Sequence, residues 1–194
     1  MYASVRATAT ERAEPRPGDM IVAAPDVVMD RGFTVPGPPE AVWPWLEQLG
    51  KRRAGWYLPR RVERFLPRAR RAVRRIEPRW GSLEPGDVIP DYGGRDATFT
   101  VAEIDPPNHL IYRSQRGAAT VSWSIVLRPD VVAGVPRTRV LFRLRLAPIR
   151  RVWLAETAGE LIDVITIAGM AFGLRERLGD AERPGAAGRT GMAG

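Results

Sequence analysis

Hydrophobic and polar residues alternate at period two over Phe33-Thr34-Val35, stop at Pro36-Gly37-Pro38-Pro39, and resume at helical spacing with Ala41, Val42, Trp45, Leu46 and Leu49. A strand over Val27–Val35, a proline turn and a helix over Pro39–Leu49 are predicted, with Gly50 as the helix stop. After Pro78 the pattern becomes a meander of strands at Asp87–Pro90, Ala97–Ile104, Asn108–Ser114, Ala119–Arg128 and Arg137–Leu146. Short Gly- and Pro-bearing links between them imply antiparallel hairpins. In the last strand Val140, Phe142, Leu144 and Leu146 share one face and Arg139, Leu141, Arg143 and Arg145 the other, which predicts a sheet with one wet side. A final helix is predicted over Arg150–Leu178. Its apolar stretch, Leu161 to Leu174, is shorter than the ~20 residues a bilayer span needs, so it reads as a core helix. Its Gly169 and Gly173 have the spacing of a helix-dimer face, but outside a membrane small residues rather let a helix approach its own sheet.

Three stretches carry a family pattern. Residues 35–57, VPGPPEAVWPWLEQLGKRRAGWY, resemble the opening of the SRPBCC superfamily, similar to START domains and polyketide cyclases; Leu83-Glu84-Pro85-Gly86-Asp87-Val88 resembles its L-x-x-G-D-x lead-in to the next strand. Phe172-Gly173-Leu174-Arg175-Glu176-Arg177 resembles the end of its last helix, so the resemblance spans residues 25–178. It implies an α+β helix-grip fold: a curved antiparallel sheet wrapped around a long C-terminal helix, with two shorter helices near the N-terminus. It also implies a cavity between sheet and helix that binds a hydrophobic or aromatic small molecule such as a lipid, an isoprenoid or a polyketide. A polyketide cyclase/dehydrase-like enzyme is the catalytic alternative, because members share the cavity and differ in what fills it.

Length and composition agree with one domain: 194 residues, 44% of them hydrophobic. Residues 1–24 have no sustained period and are expected to form a flexible arm, and the Gly/Ala/Arg/Pro-rich residues 179–194 a disordered tail. With no cysteine, disulfides and thiolate chemistry are excluded, in keeping with a reducing cytoplasm. The single histidine, His109, excludes a site built on paired histidines; no metal and no cofactor are expected. No nucleophile elbow, phosphate loop, dinucleotide fingerprint or zinc-protease motif occurs. His109 is expected as an exposed residue at a hairpin tip.

The net charge of +8 is unevenly spread. Lys51 to Arg79 holds twelve basic residues and two acidic ones, Glu63 and Glu77, while the remainder holds 18 basic against 20 acidic. Within that segment Val62, Phe65, Leu66, Ala69, Ala72, Val73 and Ile76 recur at helical spacing opposite Arg60, Arg61, Arg64, Arg68, Arg71 and Arg75. Residues 59–76 therefore read as a basic amphipathic helix broken at Pro67, either a lid with solvated arginines or a surface for peripheral contact with an anionic membrane. Nucleic acid is disfavoured as a partner because no binding motif accompanies the charge.

The residues expected to face the cavity are Trp123, Phe142, Leu144, Leu161 and Ile165, with Tyr92, Tyr112, Thr157, Asp163, Thr166 and Glu103 as polar groups able to orient a ligand. Glu156, Glu160 and Asp163 form an acidic row along the final helix. Its spacing permits a carboxylate pair, but salt links to Arg143, Arg145 or Arg151 account for it more simply.

Overall fold

A computed structural model describes residues 5–94, 96–149 and 159–181. Along the chain lie α1 (Ala9–Ala13), β1 (Val27–Pro36), α2 (Pro39–Glu47), α3 (Arg60–Glu63), β2 (Val88–Pro90), β3 (Thr98–Asp105), β4 (His109–Arg116), β5 (Ala119–Val132), β6 (Val135–Ala147) and α4 (Glu160–Ala181). All six strands form one antiparallel sheet in the order β1-β6-β5-β4-β3-β2. The architecture is α+β, with the sheet closing on the long C-terminal helix as a helix-grip fold does. Among the described residues no helix is long and apolar enough to cross a membrane.

The meander is present at each expected place, and the last hairpin is longer than its pattern suggests. Strands β5 and β6 run on to Val132 and Val135, because Ala133 and Gly134 both take positive φ (52° and 77°) and turn the chain in two residues. Prolines 129 and 136 lie within this ladder, which is why the sequence between Asp130 and Pro136 reads as a loop.

Period-two alternation places Phe33 and Val35 of β1, Val140 and Phe142 of β6, Ile125 and Leu127 of β5, Leu110 and Tyr112 of β4 and Val101 of β3 on the inner face, all buried. Against them α4 sets Ile167, Met170, Ala171, Leu174 and Leu178, and α2 sets Val42, Trp45 and Leu46, with Leu49 just past its end. The seam between these helices is the loop after α2. A Cβ at Gly173 would stand 2.6 Å from Leu58 N and 2.7 Å from the carbonyl carbon of Tyr57, so only glycine admits that backbone. Gly169 likewise faces Leu58. The two small residues of α4 thus seat Tyr57-Leu58, rather than the sheet as their spacing suggested.

Arg177 closes the seam. Its side chain is fully buried, and it donates to Val73 O (2.8 Å), Leu58 O (3.1 Å), Gly173 O (2.9 Å), Ala72 O (3.4 Å) and Glu63 Oε1 (2.6 Å), with its guanidinium 4.5 Å from the Tyr57 ring centre. Arg74 bridges Glu63 to Glu176 of α4. This arrangement overturns the expected amphipathic helix at 59–76. Only α3 and a 3₁₀ turn at Arg68–Arg70 are helical, since Arg177 draws in the carbonyls of Ala72 and Val73 and Pro67 prevents a continuous ladder. Of the seven apolar positions Ala72 is buried, whereas Val62, Phe65 and Ile76 are exposed.

Over β1, β6 and part of β5 the outer face is not wet. Residues 5–24, expected as a flexible arm, pack across it: Val5 and Arg6 pair with the β1 edge, and a capping box between Thr8 and Glu11 starts α1. Arg143, one of the presumed solvent-facing arginines, is 4% exposed. It binds Asp30 (2.8 Å), Asp19 (2.9 Å) and the carbonyls of Glu11, Arg12 and Glu14. Arg139 holds Glu11, Arg128 holds Glu14, and Arg145 holds Asp19. The acidic partners of Arg143 and Arg145 are therefore in the N-terminal segment and β1, not in the final helix as expected. That helix starts at Glu160 among the described residues and ends at Ala181, three residues past its predicted end; residues 150–158, with Thr157 and Glu156, and the tail from 182 lie outside them.

Two outcomes follow. Arg177→Ala leaves Glu63 Oε1 and several buried carbonyls without the donor they share, with Arg74 still on Glu63 Oε2, and should cost about 3–5 kcal/mol, read from the denaturant midpoint. The double variant Arg177→Met, Glu63→Met should recover part of that loss. Separately, Arg139 donating to Glu11 holds this carboxyl down from 4.5 to about 2. The folded form thus binds its proton less readily than the unfolded chain, so the contribution is present above pH 4.5 and is lost as pH falls from about 4.5 to about 2. Hydrogen exchange over residues 5–16 should accelerate in that window, and Arg139→Gln should raise the pH at which it does so.

Candidate functional site

The inner face carries a ladder of aromatic rings. Phe33 stacks on Phe142 (5.7 Å between centroids), Phe142 on Trp123 (5.8 Å), and Trp123 on Tyr112 (5.6 Å) and Trp56 (6.2 Å); Phe99 leans on both Tyr112 and Trp123. Register produces the ladder, because Trp123 lies opposite Tyr112 on one side and Leu144 on the other, so their side chains emerge on the same face. Trp56 enters from the loop after α2, in the residue before Tyr57, and is steadied by donation from its Nε1 to Thr166 O of α4 (3.2 Å).

Where the ladder meets β2 it leaves a small cleft between Leu49, Ile89, Phe99, Tyr112, Trp123 and Trp56, with Tyr92 edge-on to Trp56 at 6.5 Å. Its free volume is about 30 Å³, room for a water or two. The turn after β2 closes it: Lys51 donates to Asp91 O (2.9 Å) and Gly94 O (3.4 Å), and Arg116 clasps the Asp91 carboxylate. Tyr92 on that turn is 55% exposed. A larger hollow of about 800 Å³ lies on the outer side between Ile21, Pro85-Gly86, Thr100, Arg113 and Thr120; it is an open trough without aromatic walls or a buried unpaired group.

Two buried tyrosines separate the structural from the available. Tyr57 donates its hydroxyl to Trp45 O (2.8 Å) and accepts from Gln48 (3.0 Å), so its hydrogen-bonding capacity is used. Tyr112 is 3% exposed and lines the cleft, and among the described residues its hydroxyl has no hydrogen-bond partner. Burial pushes the Tyr112 phenol well above its ordinary range, so it stays protonated at any physiological pH as a neutral donor. Its apolar, aromatic walls and one unspent donor suit a planar molecule bearing an acceptor, for which the cleft would have to widen beyond its 30 Å³.

The other expected site residues disperse. Phe142 is buried within the ladder and Leu144 half-buried beside Trp123. Leu161 and Ile165 are 61% and 63% exposed, because at about 100° per residue they lie on the far side of α4 from Ile167. Asp163 reaches the inner face but pairs with Arg31 of β1 at 2.8 Å. The Thr166 hydroxyl is used by Ile162 O within the helix. Glu103 bonds His109 at 2.8 Å, so His109 is half-buried at the start of β4 rather than exposed at a tip. Sequence reasoning missed Trp56, Phe99, Ile89 and Lys51 as cleft residues. Trp56 lies inside the RAGWY motif and Phe99 shares its strand face with Val101, so both signals were present.

The chain is similar to several solved structures. The protein XoxI from Bacillus cereus is 11% identical, with 81% of this chain and 99% of that one aligned and a TM-score of 0.51. Weaker likenesses are NE0264 from Nitrosomonas europaea (16% identity, 80% and 96% covered, TM-score 0.48) and CalU16 from Micromonospora echinospora (13%, 79% and 84%, 0.40). With XoxI, at that identity, the shared property is the fold alone. No protein-family model and no curated sequence matches the chain.

Trp123 touches four other rings, so Trp123→Ala should cost about 3 kcal/mol in a chemical denaturation curve. Leu161→Ala, on the exposed side, should shift the same curve by less than about 0.5 kcal/mol.

Proposed function

We propose that the protein belongs to the SRPBCC superfamily and binds a planar, largely apolar small molecule in the aromatic cleft, with the Tyr112 hydroxyl donating to an acceptor on it. The observation that carries this reading is the unspent hydroxyl of Tyr112, a buried residue packed on Phe99 and Trp123 in the cleft that Trp56 also lines. The hydroxyl is not among the water-sealed unpaired atoms, so a bound acceptor exchanges a contact with water for a hydrogen bond to the ligand, a net gain of about 0.5–1.5 kcal/mol. The motif resemblance over residues 35–57 and 172–177 supports the superfamily, and the helix-grip fold agrees with it.

A ligand larger than water requires the cleft to widen. The Tyr92 turn is the part that yields, being held by Lys51 and Arg116 rather than by core packing. Binding is favoured over catalysis because the charged groups beside the cleft are engaged, Asp91 by Arg116 and Lys51 by two carbonyls. A cyclase-like activity would use the same phenol to polarise a ketone oxygen, with a proton acceptor brought by the substrate.

The test compares naphthalene with 2-acetylnaphthalene by tryptophan fluorescence titration. The wild type should bind the acetyl compound about 3–10-fold more tightly, the net worth of one hydrogen bond, and Tyr112→Phe should abolish the difference without changing stability appreciably. An unchanged preference in that variant, or no binding of either probe, would remove the basis of the reading. Mass spectrometry of small molecules co-purifying with the protein would identify the natural ligand class.

A further inference from the structure

Residues 59–79 hold nine arginines, and the fold divides them into two sets. Five are engaged. Arg60 pairs with Asp180 and Arg74 with Glu63 and Glu176; Arg75 pairs with Glu77, Arg79 stands 3.9 Å from the same carboxylate, and Arg71 donates to Leu66 O and Arg64 O. The other four, Arg61, Arg64, Arg68 and Arg70, are exposed and have no carboxylate within ion-pairing distance among the described residues. The one acid among residues 61–70, Glu63, points inward to Arg177 and does not offset them.

Between these four cations stand two apolar side chains open to water. Phe65 is 76% exposed and Val62, one turn before it, 46%. Arg64 lies over the Phe65 ring with its guanidinium 4.6 Å from the centre. Because α3 is clamped to α4 through Glu63 and Arg74, this tip is already ordered and would pay little conformational entropy on binding.

We propose that the tip formed by residues 61–70 is a docking surface for an anionic lipid bilayer, with Phe65 and Val62 entering at headgroup depth and the four arginines meeting lipid phosphates and carboxylates. Unpaired cations around exposed apolar side chains satisfy both requirements of that interface at once. Nucleic acid fits less well: Val62 offers a base nothing to stack on, and one face of Phe65 is already covered by Arg64. The proposal is independent of what the aromatic cleft holds.

The full chain would be tested by flotation with vesicles of phosphatidylcholine alone or mixed with phosphatidylserine. Binding to the mixed vesicles only is expected. The variant with Arg61, Arg64, Arg68 and Arg70 all replaced by glutamine should bind at least about a hundredfold more weakly, and Phe65→Ser should bind more weakly at both low and high salt. The chain has no cysteine, so Phe65→Cys can carry a single environment-sensitive fluorophore whose emission should shift to the blue on mixed vesicles. Circular dichroism should be unchanged in every variant, since all these side chains are exposed. Equal binding to both vesicle types, an unweakened glutamine variant, or an unshifted fluorophore would overturn the proposal. Tighter binding of single- or double-stranded DNA than of mixed vesicles, with Phe65→Ser indifferent, would overturn it in favour of nucleic acid.

Discussion

A positive charge sealed from water must find its compensation inside the protein, and Arg177 does so by gathering four carbonyls and one carboxylate from three separate stretches of chain. The consequence reaches well beyond one helix end. Leu58, Ala72 and Val73 can offer their carbonyls only if the loop after α2 runs close along α4, which requires the bare backbone of Gly173. Tyr57 then lies under the guanidinium, and Trp56, its neighbour, is aimed at the sheet. The wall of the candidate site is thus positioned by a polar cluster that takes no part in it.

The same chemistry recurs on the other side of the sheet. Arg143 does for residues 11–30 what Arg177 does for residues 58–73, gathering backbone carbonyls while a carboxylate neutralises it. Both arginines convert irregular chain, which cannot satisfy its own backbone, into covering layers with few open hydrogen bonds. Much of the chain's arginine content is therefore architectural. Among the described residues, four arginines without a carboxylate partner stand together at one loop tip, which is why that tip reads as a surface for something else.

The fold was largely legible because its signals are local: alternation marks strands, and proline and glycine mark the turns between them. Only the two-residue turn at Ala133-Gly134 hid the full length of the last hairpin, since Pro129 and Pro136 mask a ladder that continues through them. The site was half legible. Trp123, Phe142 and Tyr112 followed from strand parity, whereas the rotation of α4 about its axis did not, and Leu161 and Ile165 were assigned to the wrong side. Residues 5–24 and 59–76 were misjudged for one reason: their order comes from arginines distant in sequence, and a charge pattern does not disclose its partners.

Gly173 gives the molecule an unusual form of remote control. A methyl group there would act as a wedge against rigid backbone at Tyr57-Leu58, whereas one at Gly169 would meet only the end of the Leu58 side chain. Adjacent turns of one helix therefore differ in leverage, one abrupt and one graded, over a tryptophan that neither touches. Variation of the helix, with no change at any residue lining the cleft, would reach the cleft wall through Tyr57-Leu58 and the adjoining Trp56.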